Sequence, residues 1–102
     1  MRRAARIDDN QNEIVAGLRN YPGVTVKVTS QLKKFCDVVV GFRGKNYLIE
    51  IKDPSKPPSH RQLTPDEKAF HDFWTGQVDI AHTVDEVLEI INYPKQTIKL
   101  TK

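Results

Sequence analysis

Asp37-Val38-Val39-Val40-Gly41-Phe42-Arg43-Gly44-Lys45-Asn46-Tyr47-Leu48-Ile49-Glu50-Ile51-Lys52 reads as two β-branched strands, 37–42 and 46–52, joined by a turn. Only Arg43-Gly44-Lys45 separates them, which is hairpin length, and Gly44 is free to adopt a positive φ. A two-residue loop at Arg43-Gly44 pairs Phe42 with Lys45 and, further down the ladder, Asp37 with Glu50. Directly opposed residues share a face, with Cβ atoms ~4.5–5.5 Å apart. A four-residue loop keeps both acids on that face. A three-residue loop separates them, because a one-residue slip reverses every side chain. Lys52, two residues beyond Glu50, falls on the same face. Like charges opposed across a ladder destabilise it, and a cation between the carboxylates removes the conflict. Carboxylate oxygens with few other ligands suit Mg²⁺, which keeps waters for chemistry.

The flanking sequence supplies the rest of an α/β domain. Residues 8–20 read as a helix capped by Asp8, Asp9 or Asn10, with Ile14, Leu18 and Ile7 as its apolar stripe; Tyr21-Pro22-Gly23 stops it. Val24–Thr29 alternates as a strand, and Gln31-Leu32-Lys33-Lys34 is a basic connection. Residues 53–63 contain Pro54, Pro57 and Pro58 without periodicity and read as a loop or flap. Thr64-Pro65-Asp66-Glu67 is a capping box with proline at the first helical position. Phe70, Phe73 and Trp74 form the buried stripe of that helix, and Gly76 ends it. Val78–Ala81 is a short strand. Thr83-Val84-Asp85-Glu86 repeats the capping-box pattern ahead of Val87, Leu88, Ile90 and Ile91. Gln96–Lys102 is an edge strand or a loose tail. The order α-β-β-β-α-β-α implies a mixed sheet with helices on its faces.

With 102 residues the chain has room for one core. No apolar run approaches a membrane span, and the N-terminal arginines precede no apolar stretch, so no secretory signal is expected. A single cysteine, Cys36, excludes an intramolecular disulfide and a Cys-rich zinc site, and fits a reducing, intracellular setting. Charge divides unevenly. Residues 1–62 hold 12 Lys/Arg against 6 Asp/Glu, and residues 63–102 hold 4 against 7. A basic front suits a polyanion such as nucleic acid, although a solvated lysine-rich surface gives the same count.

Asp37 followed by Glu50-Ile51-Lys52 on a hairpin resembles the signature of the PD-(D/E)XK nuclease superfamily, and the α-β-β-β-α-β order matches its restriction-endonuclease-like core over about residues 8–91. Glu50-Ile51-Lys52-Asp53, Leu63-Thr64-Pro65-Asp66-Glu67, Phe70-His71, Trp74-x-Gly76 and Val84-Asp85-Glu86-Val87-Leu88 are similar to small VRR-NUC and Holliday-junction-resolvase-like nucleases, phage ones above all. The resemblance implies a single nuclease domain with residues 92–102 outside its core. It implies a metal-dependent endonuclease that hydrolyses DNA in branched or duplex form, with Mg²⁺ or Mn²⁺ as cofactor. Asp37 and Glu50 would hold the ion by carboxylate, Ile51 by its carbonyl, and Glu13, on the leading helix, would supply the extra acid. Lys52 would orient or help deprotonate the attacking water and steady developing charge. Apart from the resemblance, the basic stretches Lys33-Lys34 and Lys56 to Arg61 flank these residues in sequence and, with Gln62, are expected to hold DNA phosphates on either side. A homodimer, a helicase or other replication or recombination partner, and the cytoplasm of a bacterium or phage-infected host complete the expectation. The chain departs from the family in having Phe35-Cys36-Asp37 where Gly-x-Pro-Asp is common. It also has Glu67 where a helix glutamine is common, with Gln62 nearby.

The remaining chemistry-bearing residues read more plainly. His60, His71 and His82 are spaced 11 apart, which suits no zinc site. His71 is expected on a helix surface, and His60 near phosphate. Cys36 points away from Asp37's face and is expected buried and inert. Lys33-Lys34 is either a DNA contact or a solvated turn. The rival function is a non-catalytic module of the same fold that holds nucleic acid or a protein. A transcriptional or toxin-antitoxin accessory role lacks a helix-turn-helix.

Overall fold

The computed structural model describes residues 9–95. Its elements run α1 (Gln11–Arg19), β1 (Thr25–Val28), β2 (Val38–Phe42), β3 (Lys45–Ile51), α2 (Pro58–Arg61), α3 (Pro65–Phe73), β4 (Asp79–Ala81) and α4 (Val84–Ile90). The strands form one mixed sheet in the order β1-β2-β3-β4. The first three are antiparallel neighbours, and β4 lies parallel to β3. A parallel pair needs a crossover connection, and α2 and α3 lie within it.

The β2–β3 turn has positive φ at both central residues, 52° at Arg43 and 79° at Gly44. That is the two-residue pattern whose twist matches the flanking strands. It sets Phe42 against Lys45 and Val38 against Ile49. A Cβ at Gly44 would meet nothing within 4 Å, so a side chain there is opposed by the backbone alone. Gly44→Ala is expected to cost about 1 kcal/mol and to lower Tm by roughly 4–8 °C. A thermal melt that coincides with the parent's would rule out that turn geometry.

Period-two alternation sends Val38, Val40, Phe42, Ile49, Ile51 and Ala81 to one face, where Ile14, Val15, Leu18, Val87 and Ile91 of the α1–α4 layer meet them. In α1 the buried positions are Gln11, Ile14, Val15 and Leu18, the spacing of one helical face. Gly17 lets α1 approach α4: a Cβ there would lie 2.8 Å from Val84 Cγ2. The opposite face of the sheet carries the odd positions of β2 and the even positions of β3. Among the described residues no helix is long and apolar enough to cross a membrane.

Several local expectations need correction. Helix α1 begins at Gln11, and the side chain of its N-cap Asn10 makes no capping bond. Asn10 Nδ2 instead donates to Lys52 O at 3.2 Å and His82 O at 3.1 Å, tying α1 to the ends of β3 and β4. The loop at 53–63 contains α2, which starts at Pro58. Its entry is set by Asp53 Oδ1, which accepts from Ser55 N and Oγ. Helix α3 has the full capping box of Thr64 and Glu67, but it ends at Phe73, before Gly76, because Trp74 is extended at φ −74°, ψ 120°. The expected stripe is narrower than three residues. Trp74 keeps its helical place, its N–H donating to Phe70 O, and its ring packs on Phe70 and Phe35, while Phe73 is left 75% exposed and is not a core residue. At α4, Thr83 Oγ1 accepts from Glu86 N as expected. Glu86 Oε1, however, turns to the N–H of His82 instead of closing a box. Ile7, Asp8 and the Gln96–Lys102 segment lie outside the described residues.

Candidate active site

The site is assembled at one end of the hairpin, on the face turned away from α1 and α4. Asp37 sits in a bend one residue before β2, and the β2–β3 register continued by that residue sets it opposite Glu50. The regular ladder stops there. Asp37 N donates to Ile49 O and Asp37 O accepts from Thr29 N, so the residue is held from both neighbouring strands. Its carboxylate takes over part of the ladder, with Oδ2 accepting the N–H of Ile51 at 2.8 Å. The side chains of Asp37 and Glu50 come within hydrogen-bonding reach of each other.

These groups are deeply enclosed. Exposure is 9% at Asp37, 1% at Glu50 and 3% at Lys52. Burial drives the carboxyl of Glu50 upward, reinforced by the neighbouring Asp37 and by Glu67, to about 10. Asp37 is also raised by burial, against the pull of its hydrogen bonds to Glu50 and to the Ile51 N–H. Two facing acids in a poorly solvated place cannot both ionise cheaply, so without a cation the pair retains a proton at neutral pH.

Helix α3 contributes two residues that sequence reading did not assign to the site. Glu67 Oε1 accepts both Lys52 Nζ at 2.7 Å and Thr64 N at 2.8 Å, so one carboxylate caps the helix and anchors the lysine. Burial opposes its ionisation. The Lys52 and Thr64 donors outweigh that and hold its carboxyl below the usual range. His71, one turn later, places Nε2 3.4 Å from Glu50 Oε1. Its side chain is only 13% exposed, so it faces the site and not solvent, contrary to the surface position expected. Burial keeps the imidazole pKa below its ordinary value. The spacing of Glu67 and His71 by four was the available signal, since it puts both on one helical face.

The other expected residues are distributed less tightly. Glu13 is exposed, because the inward stripe of α1 runs through Gln11 and Ile14 and excludes position 13. The polar side chain that this end of α1 turns inward is Gln11, whose Nε2 donates to Ser30 Oγ. Lys33 and Lys34 are exposed in the turn leading to Asp37, while Arg61 and Gln62 are exposed between Lys52 and Glu67. Lys56 pairs with Asp9 at 2.7 Å. Cys36 is fully buried as expected, and burial pushes its thiol up.

Among the described residues no three of His, Cys, Asp or Glu form a group able to hold an ion by themselves. Two carboxylates are a hard oxygen set that leaves most of a coordination shell to water and phosphate, which fits Mg²⁺ or Mn²⁺. The raised pKa at Glu50 marks the charge conflict that such an ion would relieve. The chain matches no family model, no curated protein and no solved structure with which it was compared.

Proposed function

We propose that this chain is a Mg²⁺- or Mn²⁺-dependent endonuclease of the PD-(D/E)XK type, acting inside the cell on DNA in branched or duplex form. The reading rests above all on Asp37 and Glu50 meeting, both buried, at one end of the hairpin on the face turned away from α1 and α4, with Lys52 beside them. A surface that only bound phosphate would gain nothing from two carboxylates aimed at it.

Asp37 and Glu50 would hold the ion, with the Ile51 carbonyl as the backbone ligand. The exposed position of Glu13 lends it no support as a further ligand. A divalent ion lowers the pKa of water and neutralises charge that develops on phosphate. Lys52 presents an ammonium next to the same place, where it steadies the charge of the transition state. Its other contact, Glu67, fixes the direction of the amine. Lys33, Lys34, Arg61 and Gln62 leave their polar ends in solvent, available to phosphates on either side, and Lys56 belongs to the same basic margin. Two copies acting together would bring a site to each strand of the substrate.

The test is cleavage of supercoiled plasmid and of a four-way junction with Mg²⁺. The parent is expected to cut, chelation to stop it, and Asp37→Ala to be silent. Calorimetric titration with Mn²⁺ separates the rival. A parent that retains DNA but binds no Mn²⁺ is a binding module and not a nuclease.

A further inference from the structure

Glu50 has an uneven set of neighbours. Asp37 and Glu67 both reach it, and both are acids. His71 brings a ring nitrogen to Glu50 Oε1, at 3.4 Å. The torsion at the end of a glutamate side chain is broad, and Asp37 and Glu67 hold this carboxyl only while it keeps a proton to share with them; once it is ionised both acids repel it, and neither orients it. We propose that His71 is a positioning residue: its Nε2–H donates to Glu50 Oε1 and fixes the rotation of that carboxyl, keeping it turned toward Asp37. The consequence for metal affinity rests on the nuclease reading. The hydrogen bond itself does not.

Helix α3 is built to hold the ring at that height. Its first turn is pinned by the capping box of Thr64 and Glu67 and by the Lys52–Glu67 pair. Near its last turn, Phe70 is buried between Phe35 and Trp74, with ring centroids 5.4 and 5.2 Å away. Phe70 also meets the His71 ring edge to face at 5.9 Å. Both ends of the helix are therefore fixed, and the imidazole has little room to leave Glu50. Hydrogen bonds that orient ligating carboxylates commonly change metal affinity 10–100-fold.

The experiment uses His71→Ala and His71→Gln in the full chain. Mn²⁺ binding is followed by calorimetry and the ring nitrogens of the metal-free parent by ¹⁵N NMR. His71→Ala is expected to weaken Mn²⁺ binding by about 10–100-fold. His71→Gln, whose amide N–H reaches a similar place, is expected to restore most of the affinity. The parent spectrum should show the Nε2–H tautomer, and Glu50→Gln should shift those resonances. An alanine variant that binds like the parent overturns the proposal. So does a glutamine variant as weak as alanine, which would mean that the imidazole itself ligates the ion. An Nδ1–H tautomer overturns it as well. If the parent binds no Mn²⁺, the nuclease reading fails, and the tautomer alone decides whether His71 orients Glu50.

Discussion

At pH 8, metal-free Glu50→Gln should unfold about 5–10 °C above the parent, and Mn²⁺ should raise the Tm of the parent but not of the variant. The reason is the raised carboxyl of Glu50, at about 10 in the folded protein against about 4.3 in an unfolded chain. Between those values the folded state binds more protons than the unfolded state, so stability falls as pH rises. The contribution is fully present below about pH 4 and is lost progressively toward pH 10. Glutamine is the neutral isostere and has no such slope. The two proteins should therefore melt together near pH 5, and the variant should pull ahead as pH rises. Glu67 works in the opposite sense: its lowered carboxyl stabilises the fold above its ordinary value, and that contribution is lost as pH falls. Both proteins keep an acid limb, and the difference between them reports Glu50 together with its hold on Asp37 and Glu67. A variant less stable than the parent at pH 8, or equally pH-dependent, would mean that the carboxyl pair is not under charge stress. A group that costs stability in the empty protein and is relieved by a ligand is a mark of a functional site.

The centre of this site was legible because its geometry is local. A two-residue turn and a period of two fix which residues share a face, and that arithmetic needs only the count from Asp37 to Glu50. The capping box at Thr64 was equally local, for its partners are three residues apart. What the sequence did not disclose is where α3 lands. Lys52 meets Glu67 and Glu50 meets His71 across 15 and 21 residues, and both contacts depend on Phe70 docking against Phe35. The same docking explains Phe73. Apolar spacing groups it with Phe70 and Trp74, but the face that docks runs through Glu67, Phe70, His71 and Trp74, and at 3.6 residues per turn Phe73 falls outside it, 75% exposed. Asn10 was missed for a related reason. It has the composition of a cap, yet its amide finds two strand-end carbonyls that only the folded chain brings within reach.

Lys52→Met should lower DNA cleavage by about 10²–10³-fold, the loss typical when one preorganised donor to developing charge is removed. It should leave Mn²⁺ binding intact or tighter, because a positive charge has gone from beside the carboxylates. That split distinguishes Lys52 from Glu50, whose replacement by alanine is expected to abolish binding and cleavage together. The single variant carries a complication. Lys52 and Glu67 form an enclosed ion pair, with side chains 4% and 21% exposed, and removing one partner strands the other's charge. A drop in activity could then reflect a loosened α3. Lys52→Met/Glu67→Gln removes both charges at once, and glutamine still closes the capping box with Thr64. The double variant should regain the thermal stability lost by the single one and bind Mn²⁺, yet remain unable to cut. If it cleaves plasmid at the parent's rate, the amine has no part in the chemistry, and the carboxylates with their ion must do the work alone.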